Sequence, residues 1–465
     1  MQQTYKFHNS WSSLRIFLAL ICTLSFGIFA DTTNTSTTNT STTIQSITMQ
    51  DAVKIAIQHD PWLTGNQLQE KALRASSKAA SYLPDPMLSI GLLNLPSDGF
   101  AFNQEPMTQF KLGIAQAFPR GDSLVIKQQQ LSYQADQHPY HREDRKAKIQ
   151  VTVSQLWLDA IKADQTISLI KRNRVLFEQL VDIVKASYSS AQGNTRQQDV
   201  ISAQVELARL DDRLTALSSQ RDSALTNLSE WLPASAYLAV SDTFEENTAI
   251  PSSPELADDI KQLLERTDNT GLLHLLGRHP SLLAIEQSAK AGITAIKLAE
   301  QKYKPQWGVN ASYAYRDDDP FGQSRADFFS LGITVDIPIF GSAQQDSEVA
   351  ASRLTAQVIE TDKRLLQQRM LARMLSLYQQ EIRFGHREEG FLNAILPQVQ
   401  ELADASLNAY THDDGDFSEV MRAQIAQLTV QIDLIDIQIE KHKIRMQLGY
   451  FLEGHTNSYP QGEYR

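Results

Sequence analysis

His138 and His141 come nearest to chemistry in this chain, because two histidines three apart on one helical face can hold a metal ion. Pro139 stands between them and spoils the helix that such a pair needs, and no carboxylates recur in phase with it. The pair therefore reads as solvated helix surface. Asp317-Asp318-Asp319 could detain a cation, but it precedes Pro320-Phe321-Gly322 and reads as a solvated loop between strands. No glycine-rich loop cradles a phosphate, and Gly-x-Gly-x-x-Gly does not occur. With no clustered acid, base or nucleophile, the chain is not read as an enzyme, and no cofactor is implied.

The N-terminus carries an address instead. Lys6 and Arg15 precede the apolar run Ile16 to Ala30, which reads as a secretory signal spanning residues 1–30 and cleaved after Ala30. Cys22, the only cysteine, lies inside it, and Ile21 occupies the place where a lipoprotein signal needs a small residue. The mature chain would then have no thiol, and so no disulfide or thiolate metal site. Residues 31–47, dominated by Thr, Ser and Asn, read as a disordered polar leader. Losing two cations and no acid takes the formal charge from −11 to −13, which argues against a nucleic-acid partner. No internal stretch approaches the roughly 20 apolar residues of a spanning helix.

The elements that must position any site are very long helices. Between Gly121 and Gly193 there is no other glycine and one proline, so a helix of about seventy residues would reach on the order of 100 Å. Ile149, Val153, Leu156, Trp157, Ile161, Ile167, Ile170, Leu180 and Val184 form a stripe at spacings of three and four that needs partners along its length. The chain turns near Gly193 and runs back to Leu228.

The chain is also written twice, at an offset of about 220 residues. His59-Asp60-Pro61 answers to Arg278-His279-Pro280, Phe118-Pro119-Arg120-Gly121 to Ile339-Phe340-Gly341, and Asp199 through Gln204 to Glu419 through Gln424. The first unit covers residues 48–230, with strands at about 86–96 and 106–119 and a helical hairpin at 121–230. An inter-repeat segment occupies 231–270. The second unit covers 271–453, with strands at about 305–316 and 326–340 and a hairpin at 342–452. A short tail, 454–465, follows.

The strand segments alternate. Trp307, Val309, Ala311, Tyr313 and Tyr315 oppose Gly308, Asn310, Ser312 and Ala314, and Phe329, Leu331, Ile333, Val335 and Ile337 oppose Ser330, Gly332, Thr334 and Asp336. Phe110, Leu112, Ile114 and Phe118 repeat the pattern, while Met87 to Leu95 alternates less cleanly. Such segments suit either a half-buried soluble sheet or a transmembrane barrel with Phe110, Phe118, Trp307, Tyr313, Tyr315 and Phe329 as interfacial anchors; the secretory signal and giant helices favour the barrel. Four strands cannot close a barrel, and an open edge in lipid leaves backbone groups unpaired, so several copies must share one.

With these features in place, the repeated plan, the junction Phe118-Pro119-Arg120-Gly121-Asp122 and the segment Gly193 to Gln204 resemble the TolC-like outer-membrane efflux proteins, over nearly all of Thr48 to Phe451. The stretch Leu83 to Thr108 is similar to members associated with heavy-metal efflux. The resemblance implies a mainly α fold of duplicated helix, β-hairpin, long helix, turn, helix units. It further implies a homotrimer with a 12-stranded barrel in outer-membrane lipid and a helical tunnel in the Gram-negative periplasm. Its partners would be a periplasmic adaptor (membrane-fusion) protein and an inner-membrane transporter of the resistance-nodulation-division type. A periplasmic gate would fall at Gly193, Arg196, Asp199 and Ser202 and at Gly415, Glu419 and Arg422. Ser202 and Arg422 stand where the motif has a second acid, so the charge ring would be thin. Helix capping is the competing role for Asp199 and Glu419. Drug export, type I protein secretion and a periplasmic coiled-coil adaptor are the alternative functions.

Overall fold

The computed structural model describes residues 47–189, 196–244, 250, 256–266, 268–337, 342–412 and 415–454. The expected signal, nearly all of the leader, the tail beyond Gly454 and the turn residue Gly193 lie outside them. The elements run α1 (Met49–His59), α2 (Pro61–Ala79), β1 (Met87–Leu93), β2 (Gln109–Phe118), α3 (Ser123–Ser189), α4 (Gln197–Leu228) and α5 (Ala234–Thr243). They continue with α6 (Asp258–Glu265), α7 (Asn269–Leu276), α8 (Pro280–Glu300), β3 (Gln306–Tyr315), β4 (Phe328–Asp336), α9 (Ala343–Gly390), α10 (Leu396–Thr411) and α11 (Phe417–Phe451). The strands are shorter than the sequence suggests, β1 and β2 by four residues each and β3 by two, while 338–340 of the expected fourth strand lie outside the described residues. No helix among the described residues is long and apolar enough to cross a membrane.

Proline and short polar side chains punctuate the helices. Asp60 caps α2 by accepting from the Trp62 N–H at 3.2 Å, with Pro61 at the first helical position. His279 caps α8 in the same way ahead of Pro280. Pro139 behaves otherwise, and the expectation that it spoils the helix is corrected: α3 runs unbroken through it. Proline removes one backbone hydrogen bond, but neighbours grip the helix on both sides of that level. Arg142 donates to Asn66 Oδ1 (3.1 Å) and Glu70 Oε2 (2.7 Å) on α2, and Ser288 of α8 donates to Gln137 (2.6 Å). The second long arm was expected as one helix from residue 342. It is interrupted by a π-turn at Phe391–Ile395, immediately before Leu396-Pro397, whose wider ring makes room where proline cannot donate.

The helices do not converge on one core. One apolar cluster joins α1, the middle of α3, the end of α4 and α5, centred on Trp157 stacked edge-on against Phe244 at 5.4 Å. A second joins α6, α7, α8, α9 and the end of α11. A third lies among α3, α4 and α11 towards the helical turns, with Phe177, Leu180, Phe417 and Val420 buried. Arg145 ties the first cluster to the α2 cap, pairing with Asp60 at 2.9 Å between the rings of Trp62 and Trp231.

His279 is the corresponding tie in the second half and is fully buried. Its Nδ1 accepts from the Ser281 N–H (3.2 Å), and its Nε2 donates to the Tyr450 carbonyl (2.9 Å), joining the start of α8 to the end of α11. The Tyr450 hydroxyl then donates to Asp144 (2.7 Å), which also pairs with Lys148 (2.6 Å). Burial depresses the His279 pKa, outweighing the raising effects of the Tyr450 carbonyl and Asp144. The unfolded chain therefore takes up a proton that the folded chain refuses. Stability should be level above about pH 6.5 and fall as pH drops below it. His279→Asn, which keeps a capping oxygen without titrating, should reduce the acid-side slope of the thermal midpoint between pH 7.5 and 5. An unchanged slope would assign that sensitivity to other groups.

Candidate functional site

The four strands form one antiparallel sheet in the order β1-β2-β3-β4, so the two hairpins of the repeat pair with each other through β2 and β3. The register stacks apolar side chains in rows across one face. Leu92, Phe110 and Tyr315 lie side by side, as do Ile90, Leu112, Tyr313 and Phe329, then Leu88, Ile114, Ala311 and Leu331. Phe118, Trp307 and Val335 form the row nearest the helices, and Gln116 is the one polar member of the face. Side-chain parity thus places Leu88, Ile90 and Leu92 cleanly on this face, although β1 alternates poorly as sequence.

Apart from Phe102, which stacks on Tyr315 at the loop end (6.2 Å), nothing among the described residues covers it. Its large side chains are exposed, from 38% at Phe118 to 73% at Phe329. A soluble sheet buries its apolar face against a second layer, and an uncovered patch of this kind marks a membrane or partner surface. Phe118 and Trp307 are direct cross-strand partners at the helical end, while Phe110 with Tyr315 and Tyr313 with Phe329 pair towards the loops. Eight residues of strand separate Phe110 from Phe118, roughly 26 Å, close to the roughly 25 Å apolar band of membrane barrels. The opposite face is mostly small and polar, with Ser89, Gly91, Lys111, Gly113, Asn310, Ser312, Gly332 and Thr334, and carries large apolar residues only at strand ends, Met87, Leu93 and Phe328. Strands β1 and β4 each leave one edge unpaired.

A compact joint holds this sheet to the helices. Arg120, just past β2, donates to the carbonyls of Lys302 (3.1 Å) and Lys304 (2.9 Å) and pairs with Asp336 at the end of β4. The Asp122 N–H donates to Gln301 (3.1 Å), and Lys304 pairs with the Asp122 carboxylate (3.1 Å). Between them Gly121 adopts φ +49°, where a Cβ would lie 2.3 Å from Lys304 Cδ. The junction motif is therefore a clamp that binds the end of the first hairpin to the start of the second, turned through a positive-φ position that a residue with a Cβ would strain.

At the helical turns the two repeats differ. In the first, the buried Asp199 carboxylate accepts from the Arg196 N–H at 2.9 Å, so this acid caps its own helix. Ser202 is exposed one turn on. In the second, Asp416 caps α11 by accepting from the Ser418 N–H (3.2 Å) and hydroxyl (2.9 Å). These hydrogen bonds, with smaller help from the charges of Arg196 and Arg422, hold its carboxyl below the ordinary carboxylate range. Val200 of α4 packs against the cluster that buries Phe417, Val420 and Met421, which brings the start of α4 to the start of α11. Glu419 is exposed, its carboxylate unpaired among the described residues, and Arg422 donates back to the Ser418 carbonyl at 3.2 Å. Gly415 is half-buried ahead of the cap. Asp416 escaped the sequence reading, although an Asp two residues before Ser and next to the apolar Phe417 is an N-cap signal.

The histidine pair gains no ligands. His138 and His141 lie edge to face at 6.2 Å, and the expectation of a solvated surface is corrected for His138, which is buried where α3 packs on its neighbours; no group of three or more metal-ligating side chains occurs among the described residues. In the acidic loop, Asp319 accepts from the N–H groups of Phe321 (2.9 Å) and Gln323 (2.8 Å), and Asp317 from that of Asp318 (3.0 Å). Those contacts shape a turn.

No protein-family model matches the chain, and no curated protein does. Solved structures match closely in fold. The chain is similar to CusC, described for conformational changes accompanying folding and transmembrane channel formation, at 12% identity, covering 88% of this chain and 92% of that one, with TM-score 0.70. It is similar to the outer membrane protein VceC from Vibrio cholerae at 12% identity, covering 87% and 95%, with TM-score 0.70. It is also similar to the open state of the Neisseria gonorrhoeae MtrE outer membrane channel at 13% identity, covering 87% and 88%, with TM-score 0.65. At these identities the likeness is one of fold, and it is the fold that the sequence resemblance implies.

The two acids of the turns should separate on mutation. Glu419→Gln is expected to lower cation preference in planar-bilayer recordings. Asp199→Ala should act chiefly on stability, by about 1 kcal/mol for a lost cap. An unchanged reversal potential in Glu419→Gln would remove the charge-ring role.

Proposed function

We propose that this chain, which has the fold of the TolC-like outer-membrane efflux proteins, is the outer-membrane channel subunit of a tripartite efflux system. The observation that carries the reading is the uncovered apolar face of a four-stranded sheet with two unpaired edges. In hydrocarbon, each unpaired backbone group costs several kcal/mol, so the edges must be closed. Three copies, pairing β4 of one with β1 of the next, would give a 12-stranded barrel. Its apolar face would meet lipid, and Phe110, Phe118, Trp307, Tyr313, Tyr315 and Phe329 would sit at the two interfaces. The small and polar face would line a water-filled lumen, and the clamped helices would carry that conduit into the periplasm.

In this reading the duct is passive and no step of it is enzymatic. Energy and selection belong to an inner-membrane transporter of the resistance-nodulation-division type, reached through a periplasmic adaptor at the helical turns. Heavy-metal cations are the proposed cargo, supported by the likeness of Leu83 to Thr108 to the metal-efflux branch. A deletion strain challenged with copper, silver, zinc, cobalt, cadmium and a drug panel tests both levels. Metal sensitivity relieved by the restored gene is expected. Sensitivity to drugs alone would reassign the cargo, and no altered sensitivity at all would count against the duct.

A further inference from the structure

We infer that Lys111 sets the ion preference of the barrel end of the conduit; this rests on the reading of the small and polar sheet face as the lumen wall. The cross-strand register puts Lys111 on that face between Gly91 and Ala314. Of the strand residues sharing the face, Lys111 and Asp336 alone are charged, and Asp336 is paired with Arg120 in the joint. The ammonium of Lys111 has no hydrogen-bond or ion-pair partner among the described residues. Its nearest neighbours along and across the strands are Gly91, Gly113 and Ala314, with Gln109 the one longer side chain beside it, while Arg316, one residue past β3 on the same face, is held over the Phe328 ring at 4.6 Å. The side chain of Lys111 is half-buried, and its ammonium has no pairing role among the described residues.

Its height matters as much as its face. Lys111 lies two residues inside the loop end of β2, roughly 7 Å below the strand terminus. The loops above are acidic, and several of their carboxylates are held locally. Asp98 accepts from Gln104, Asp319 from backbone N–H groups, and Asp327 from the Arg316 N–H, while Arg325 donates to the carbonyls of Asn103 and Glu105. Counter-ions screen charges over about 8–10 Å, comparable to that depth, so the lysine ring and the loop acids act on a passing ion together and the lysines shift the balance towards anions. Three ammonium groups around one level then favour anions at the exit, opposite in sign to the exposed Glu419 at the helical turns.

The test is the reversal potential of the purified full-length channel in planar bilayers under a potassium chloride gradient. Lys111→Gln should lower the anion-to-cation permeability ratio about two-fold, the size expected of a screened ring in water, with a larger drop for Lys111→Glu and none for Lys111→Arg. In Lys111→Cys, a cationic methanethiosulfonate added from the loop side should move the ratio back towards wild type and leave the wild-type channel unaffected. Pores with unchanged ratios and an inert cysteine would overturn the assignment of Lys111 while leaving the duct in place. Absence of any pore from the wild-type chain would overturn both.

Discussion

Backbone hydrogen bonding at a sheet edge is the constraint on which the rest of the proposed assembly depends. A strand in water can leave its outer N–H and C=O groups to solvent, but a strand in hydrocarbon cannot. The sheet of this chain has two such edges, on β1 and β4, and a face of Leu, Ile, Phe, Tyr and Trp that no described element covers. Closure by further copies satisfies the edges and the face together. It also fixes which side of the sheet meets lipid, and hence which residues a solute would meet inside.

The remaining structure can be understood as holding that closure to the helices. Arg120 reaches two carbonyls at the entry to β3 and the carboxylate at the end of β4, and Gly121 allows the chain to turn beneath it. A tilt of the strands would therefore be passed directly to the start of α3. Further along, packing is divided among three apolar clusters, an arrangement that suits the proposed conduit, whose surrounding helices could not share a single centre. Each half is then tied once at the helix break near mid-length. Asp60 with Arg145 does this in the first repeat and His279 with Tyr450 in the second. The same position in the duplicated plan is thus held by an ion pair in one half and a neutral buried imidazole in the other.

Much of this was legible in the residues. Strand alternation, helix length and the duplication are periodic signals spread over many positions, so no single substitution hides them. Cross-strand register is different, because it is set by pairing between segments, some 20 residues apart for β1 with β2 and some 200 for β2 with β3. For that reason the clean alignment of Leu88, Ile90 and Leu92 with their neighbours, and the isolation of Lys111, appear only in the fold. Pro139 and Pro397 mislead in opposite directions. Neighbours on α2 and α8 hold a helix through the first, whereas the second is accommodated by a π-turn. At the helical turns the sequence picked out matching acids, Asp199 and Glu419, but capping is local geometry. It falls to Asp199 in one repeat and to Asp416 in the other, leaving Glu419 unpaired.

The central claim is that copies of this chain close one barrel through β1 and β4. The most direct measurement is the subunit stoichiometry of the detergent-extracted protein by native mass spectrometry, read alongside its need for detergent. Three copies per particle, remaining associated until heated and insoluble without detergent, are expected. A monodisperse, folded single chain in detergent-free buffer would contradict the account.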